Sequence, residues 1–204
     1  VLIVTSLVNQ PYILDLVPGQ SMVEYLLRQG FDVYLIEWGR PRREHSGLTL
    51  EDHVLRLLPE CVDAVLRDSG EKELHPKAPL KNLVCMAAPI NGDGLVSLKA
   101  WMGEGFDEEA LIEQFGNVPA DWVQNTLRAL RPFGKLAGAA NLLHQIDKED
   151  TVRSNLRMGK WESDNIAFPG GVFRQMVNDF LRGNKLVKGT WQIGGRRVRL
   201  ANIK

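Results

Sequence analysis

Cysteine is nearly absent. Only Cys61 and Cys85 occur in 204 residues, too few for a disulfide scaffold and without the C-x-x-C spacing of a metal site. No metal and no cofactor are therefore expected. Excess charge is missing too: 25 Lys and Arg balance 25 Asp and Glu, which removes the electrostatic reason to expect nucleic acid or an anionic membrane as partner. No apolar run approaches the ~18 residues of a membrane span, and no signal peptide opens the chain. These absences point to a reduced, cytoplasmic protein. There is also no initiator methionine: the chain begins Val1-Leu2-Ile3-Val4 and stops at Ala201-Asn202-Ile203-Lys204, each a strand-like stretch. Bare strand edges are aggregation templates, so the expectation is a fragment.

What is present is 44% apolar and 25% charged, an ordinary globular balance. Val1–Val4 has the β-branched character of a strand buried on both faces. Met22, Val23, Leu26 and Leu27 follow at helical spacing, with Ser21 as N-cap and Gly30 as the stop. Asp32 to Ile36 reads as a second strand. Thr49, with Asp52 three residues on, opens a helix whose stripe is Val54, Leu57, Leu58, Cys61, Val62, Val65 and Leu66. Pro59 lies inside that pattern and predicts a kink; Gly70 ends it. Leu80 to Ala88 reads as a third buried strand. Strand, helix, strand, helix, strand argues for the α/β class, a parallel sheet flanked by helices.

From about residue 91 to 188 the texture changes. Helical stretches dominate (107–115, 119–130, 134–145 and 171–181), and every tryptophan except Trp38 lies from Trp101 onward. Such a block reads as an inserted helical cap that shapes a pocket and excludes water. Residues 189–198 return to strand character. The organisation expected is 1–90 core, 91–188 cap, and 189–204 the start of a returning core strand.

Several segments in series carry a resemblance. They are Val8-Asn9-Gln10-Pro11-Tyr12-Ile13-Leu14-Asp15-Leu16, Gly30-Phe31-Asp32-Val33-Tyr34-Leu35-Ile36-Glu37-Trp38-Gly39, Leu48-Thr49-Leu50-Glu51-Asp52, and Lys81-Asn82-Leu83-Val84 with Ala87-Ala88-Pro89-Ile90. Further on come Phe115-Gly116-Asn117-Val118-Pro119, Trp161-Glu162-Ser163-Asp164, Phe168-Pro169-Gly170, Asn184-Lys185-Leu186 and the run from Gly194 to Ile203. Together they resemble the polyhydroxyalkanoate (poly-3-hydroxybutyrate) synthase family, and the arginine-bearing loop after Gly39 looks more like its two-component branch. The resemblance implies an α/β-hydrolase fold, here partial, with an inserted helical cap. It also implies acyl transfer from (R)-3-hydroxyacyl-CoA, a substrate and not a cofactor, through a cysteine thioester to a growing polyester chain. A homodimer or a second synthase subunit is the implied partner, and the polyester granule surface the implied location.

The chemistry of that family needs a nucleophile on a strand-to-helix elbow, G-x-[S/C]-x-G, with histidine as base and aspartate to orient it. None of the 204 residues forms that elbow; Gly19-Gln20-Ser21-Met22-Val23 fails at its last position. By resemblance the elbow belongs between Gly70 and Leu80, where only nine residues stand, against roughly 25 for a strand, elbow and helix. The aspartate and histidine belong beyond Ile203. No catalytic residue is assigned, and the chain is expected to be inactive. Two other readings stand beside this one: a catalytically dead binding or granule-associated module, and a fragment of another α/β-hydrolase esterase.

Individual residues were weighed against plainer roles. Leu7, Val8 and Asn9 occupy the loop that, in such hydrolases, supplies one backbone N–H of the oxyanion hole; the plain alternative is a connecting loop. Cys85, mid-strand, and Cys61, on a helix stripe, read as buried inert thiols. His45, His53, His75 and His144 read as solvated or capping. Asp15 and Asp164 read as carboxylates bonded to nearby backbone N–H groups. Arg40, Arg42 and Arg43 are candidates to meet CoA phosphates, against a solvated loop. Trp101, Trp122, Trp161 and Trp191 read as packing. Loss of the elbow strand predicts direct pairing of the Val1 and Leu80 strands and poor independent stability.

Overall fold

A computed structural model describes residues 1–70, 84–86, 90–95, 98, 103, 105–129 and 148–202. The chain divides into two units, each assembled from two stretches: Val1–Arg43 with Asn117–Phe168, and Glu44–Gly116 with Pro169–Lys204. Helix and small sheets are mixed in both.

In the first unit, β1 (Leu2–Ile3) pairs in parallel with β2 (Tyr34–Leu35), Leu2 opposite Tyr34 and Ile3 opposite Leu35. Parallel pairing needs a crossover, and α1 (Met22–Arg28) supplies it. As the sequence leads one to expect, Ser21 caps α1 by accepting from the Glu24 N–H at 2.9 Å, and Gly30, at φ 83°, follows its end. One expectation fails: the Val1 strand is not buried on both faces, for Val1 and Val4 are 48% and 52% exposed. β2 is the only strand that pairs with it among the described residues. The unit's core is Leu16, Val17, Ile36, Val118, Val123, Ile166 and Phe168. Val118 and Phe168 bridge antiparallel through N–H···O bonds of 2.8 and 2.9 Å; the unit's longer helices are α2 (Ala120–Ala129) and α3 (Glu149–Ser163).

In the second unit, Leu50–Asp52 opens a helix that passes through a π-turn, His53–Leu57, into α4 (Leu58–Ser69). Thr49 and Asp52 form the full capping box. The kink expected at Pro59 appears as that π-turn just upstream. Proline has no N–H to offer the carbonyl one turn back, and the Leu58 N–H reaches to His53 with the wider π spacing. Gly70, at φ 72°, terminates α4.

α5 (Glu108–Phe115) packs on α6 (Gly170–Gln175), which continues as a π-helical segment, Met176–Arg182. That continuous stretch is the core: Val172, Phe173, Val177 and Leu181 are at most 2% exposed, and Phe106 meets Phe173 edge-on at 6.3 Å. Buried Glu108 receives Arg182 at 2.8 Å and Asn178 at 2.7 Å, so its charge is paired. The start of α6 needs small residues, since a Cβ on Gly171 would lie 2.5 Å from the Leu48 carbonyl oxygen. The strand character of 189–198 takes the form of an antiparallel hairpin, β3 (Gln192–Ile193) and β4 (Arg196–Arg197). Gly194 and Gly195, both with positive φ, make the two-residue turn this twist favours.

Of the expected 80–88 strand only residues 84–86 are described, and they form no strand; the rest of it, its expected pairing with Val1, and the 134–145 helix lie outside the described residues.

Candidate functional site

The loop after β1 is the best-secured irregular segment of its unit. On one side, the Thr5 hydroxyl donates to the Ile36 carbonyl at 2.8 Å, and the Trp38 indole N–H donates to the Thr5 carbonyl at 2.9 Å. On the other side, four groups at and beyond the end of α3 reach it. The Trp161 indole donates to the Gln10 carbonyl at 2.7 Å, and the Ile166 N–H to the Val8 carbonyl at 3.0 Å. Asn9 Nδ2 donates to Asn165 Oδ1 at 2.8 Å, and the Tyr12 hydroxyl to Asp164 Oδ2 at 3.2 Å.

Asp164 is the hub. It is the C-cap residue of α3, where the exposed carbonyls make a negative charge unfavourable. Arg40, from the loop after β2, compensates by donating to Asp164 Oδ1 at 2.5 Å. The Arg40 hydrogen bond, ahead of the Tyr12 one, holds the Asp164 carboxyl below its ordinary pKa despite partial burial. Tyr12 moves the other way: burial first, then its bond to the carboxylate, raise its phenol above the usual value. The expectation that Asp164 binds nearby backbone N–H groups is therefore corrected. Its partners are side chains distant in sequence, and Arg40 is tied to it.

Among the loop candidates, the Val8 N–H donates to Ser6 Oγ at 3.3 Å. The N–H groups of Leu7 and Asn9 meet no acceptor among the described residues. A loop whose Leu7 and Asn9 N–H groups meet no acceptor among the described residues, held by side chains from two distant segments, is suited to receiving a negative oxygen. No nucleophile accompanies it among the described residues. Cys61 is half-buried on α4, and Cys85 is exposed, not buried in a strand; its neighbours Val84 and Met86 are exposed too.

Asp15 is exposed and apart from the cluster. His53 is buried, contrary to a solvated role, with Nδ1 2.7 Å from the Thr49 carbonyl oxygen. His45 is partly exposed, with Nε2 3.6 Å from Glu44. Asn117 binds the Arg42 carbonyl at 2.7 Å, and Arg43 starts a 3-10 turn, Arg43–His45. Trp122 is half-buried, and Trp191 packs edge-on to Phe180 at 4.9 Å. His75, His144 and Trp101 lie outside the described residues. Among those residues no group of three His, Cys, Asp or Glu side chains is placed to hold a metal, and no helix is long and apolar enough to cross a membrane.

Tyr12 and Asn165 were not singled out by sequence reading. The one available signal was the Trp161-x-x-Asp164 spacing at a helix end, which aims both side chains at one neighbour.

Comparison with known proteins first gives a class of relatives, proteins named as poly(3-hydroxyalkanoate) polymerases. The chain is 33% identical to the poly(3-hydroxyalkanoate) polymerase subunit PhaC of Haloferax mediterranei, over 100% of the chain and 46% of the relative. It is 35% identical to that of Synechocystis sp., over 100% and 60%, and 33% identical to that of Thiocystis violacea, over 99% and 62%. No family model matches. The chain belongs to the polyhydroxyalkanoate synthase family. It spans about half to three-fifths of the length of these relatives.

Proposed function

We propose that the chain is an acyltransferase by descent, built on part of an α/β-hydrolase fold with an inserted helical cap, and that it does not turn over as it stands. The ancestral reaction is transfer of (R)-3-hydroxyacyl groups from CoA to a growing polyester through a cysteine thioester. The elbow that would carry the cysteine of that reaction has no counterpart among these 204 residues.

The observation that carries this reading is a deficit in length against the matched relative. The match to the Haloferax mediterranei relative runs over 225 aligned positions, while the chain has 204 residues. At least 21 positions of the matched stretch therefore have no residue in this chain, a number close to one strand, elbow and helix. No G-x-[S/C]-x-G occurs anywhere in the sequence. An acyl thioester cannot form without an activated thiolate. The Leu7 and Asn9 N–H groups, without an acceptor among the described residues, support the idea of a retained oxyanion wall without the oxyanion.

The test is CoA release from (R)-3-hydroxybutyryl-CoA by the purified chain. The expected rate is that of buffer alone; measurable turnover overturns the proposal. A second reading, a catalytically dead binding module, is favoured by the clamped loop, which keeps its geometry without a nucleophile. Co-sedimentation with polyester granules distinguishes it.

A further inference from the structure

The chain carries no net charge, but its charges are unevenly placed. Between Leu181 and Asn202 there are six basic residues and no acidic one. Three are accounted for: Arg182 pairs with Glu108, Lys185 with Asp179, and Lys188 donates to the Gly183 carbonyl. The other three, Arg196, Arg197 and Arg199, pair with no carboxylate among the described residues. Unneutralised guanidinium groups this close together repel one another.

Two of them border a concavity. A cavity of about 440 Å³ opens between the turn after Asn184 and the short 3-10 turn Leu200–Asn202. Arg197 and Arg199 stand on it, and Leu186, Val187, Leu200 and Ala201 form most of the remaining wall. Arg197 is held in place, because its Nε donates to the Gly189 carbonyl. Its two terminal nitrogens are left without a carboxylate partner.

We propose that this cavity binds a phosphate monoester carrying an apolar arm. Two planar guanidinium forks match a dianionic phosphate in charge and in paired-donor geometry. The leucine and valine wall gains by covering an alkyl group. The chemistry has two sources, a soluble alkyl phosphate monoester or the monoester headgroup of phosphatidic acid. The inference rests on the second unit alone and is independent of the acyl-transfer reading.

The test titrates the 204-residue chain with inorganic phosphate, with hexyl phosphate, and with phosphatidylcholine vesicles with and without phosphatidic acid. Hexyl phosphate is expected to bind at least about tenfold tighter than inorganic phosphate, the worth of two buried methylenes. Arg197→Gln and Arg199→Gln should each weaken it about tenfold, as expected for loss of one charge-assisted contact. Arg196→Gln, on the same hairpin but off the cavity, should change it less than about twofold, which controls for folding. Phosphatidic-acid-dependent vesicle binding that hexyl phosphate displaces assigns the site to a lipid headgroup. Hexyl phosphate binding without vesicle binding assigns it to a soluble ester. Hexyl phosphate binding no tighter than inorganic phosphate, or unaffected by both cavity substitutions, overturns the proposal, as does vesicle binding that hexyl phosphate leaves intact.

Discussion

Asp164 places a carboxylate where its own helix disfavours one, and two distant side chains make that tolerable. Because Arg40 and Tyr12 hold its carboxyl below the ordinary value, the unfolded chain binds the proton more readily than the folded one. Its contribution to stability is therefore present above the unfolded value of about 4 and is lost as pH falls through the folded value. Asp164→Asn should cost about 1 kcal/mol at neutral pH, discounted for the exposure of Arg40, and should flatten the acid limb of a urea-denaturation profile. An unchanged acid limb would remove Asp164 as its source. Hydrogen exchange at Leu7 and Asn9 should accelerate in the same variant, since Asp164 is part of what fixes the loop. Gly171 makes the opposite kind of demand, for space. Gly171→Ala should destabilise by about 2 kcal/mol in chemical melts, because the Leu48 backbone cannot yield to a methyl group as a side-chain tip can. These residues differ in how readable they were. A glycine pair before an apolar run is visible in sequence, but bonds spanning 124 and 152 residues are not.

Helix ends were the most readable elements, because their chemistry is local. Ser21, Thr49, Gly30 and Gly70 each sit where cap rules put them, since a cap needs only its own next three residues. Thr49→Ala should lower stability by about 1 kcal/mol, measured by the urea midpoint at constant slope. Asp52→Asn should cost less at neutral pH and should also blunt acid destabilisation, because the Thr49 backbone N–H holds the Asp52 carboxyl below its usual value. Equal acid sensitivity in Asp52→Asn and the parent would show that the box carries no pH-linked energy. α3 escaped the sequence reading for a physical reason. Its apolar residues are sparse, and Leu156 remains 66% exposed, so no continuous stripe marks it. The buried reading of Cys85 failed differently. An apolar run signals burial only if something packs on it, and no periodicity reveals whether a covering element is there.

At the scale of the molecule, the family and the alternation of strand and helix were legible, because both are spread over many residues. The division into units was not, since each unit draws on two separated stretches. A two-strand parallel pair with Val1 and Val4 about half exposed, together with the shortened core proposed above, predicts a shallow stability margin. The thermal transition of the isolated chain should be broad and low, and a sharp calorimetric peak would contradict this.

The interleaving of stretches has a bearing on biosynthesis. A ribosome emits residues in order, and Val1–Arg43 cannot meet Asn117–Phe168 until the intervening stretch has emerged. At roughly 5–20 residues per second, the nascent β1–α1–β2 segment waits several seconds with Val1 and Val4 uncovered. The apolar groups that gain cover only afterwards are Leu16, Val17 and Ile36, and during that interval they make the segment a natural client for a chaperone.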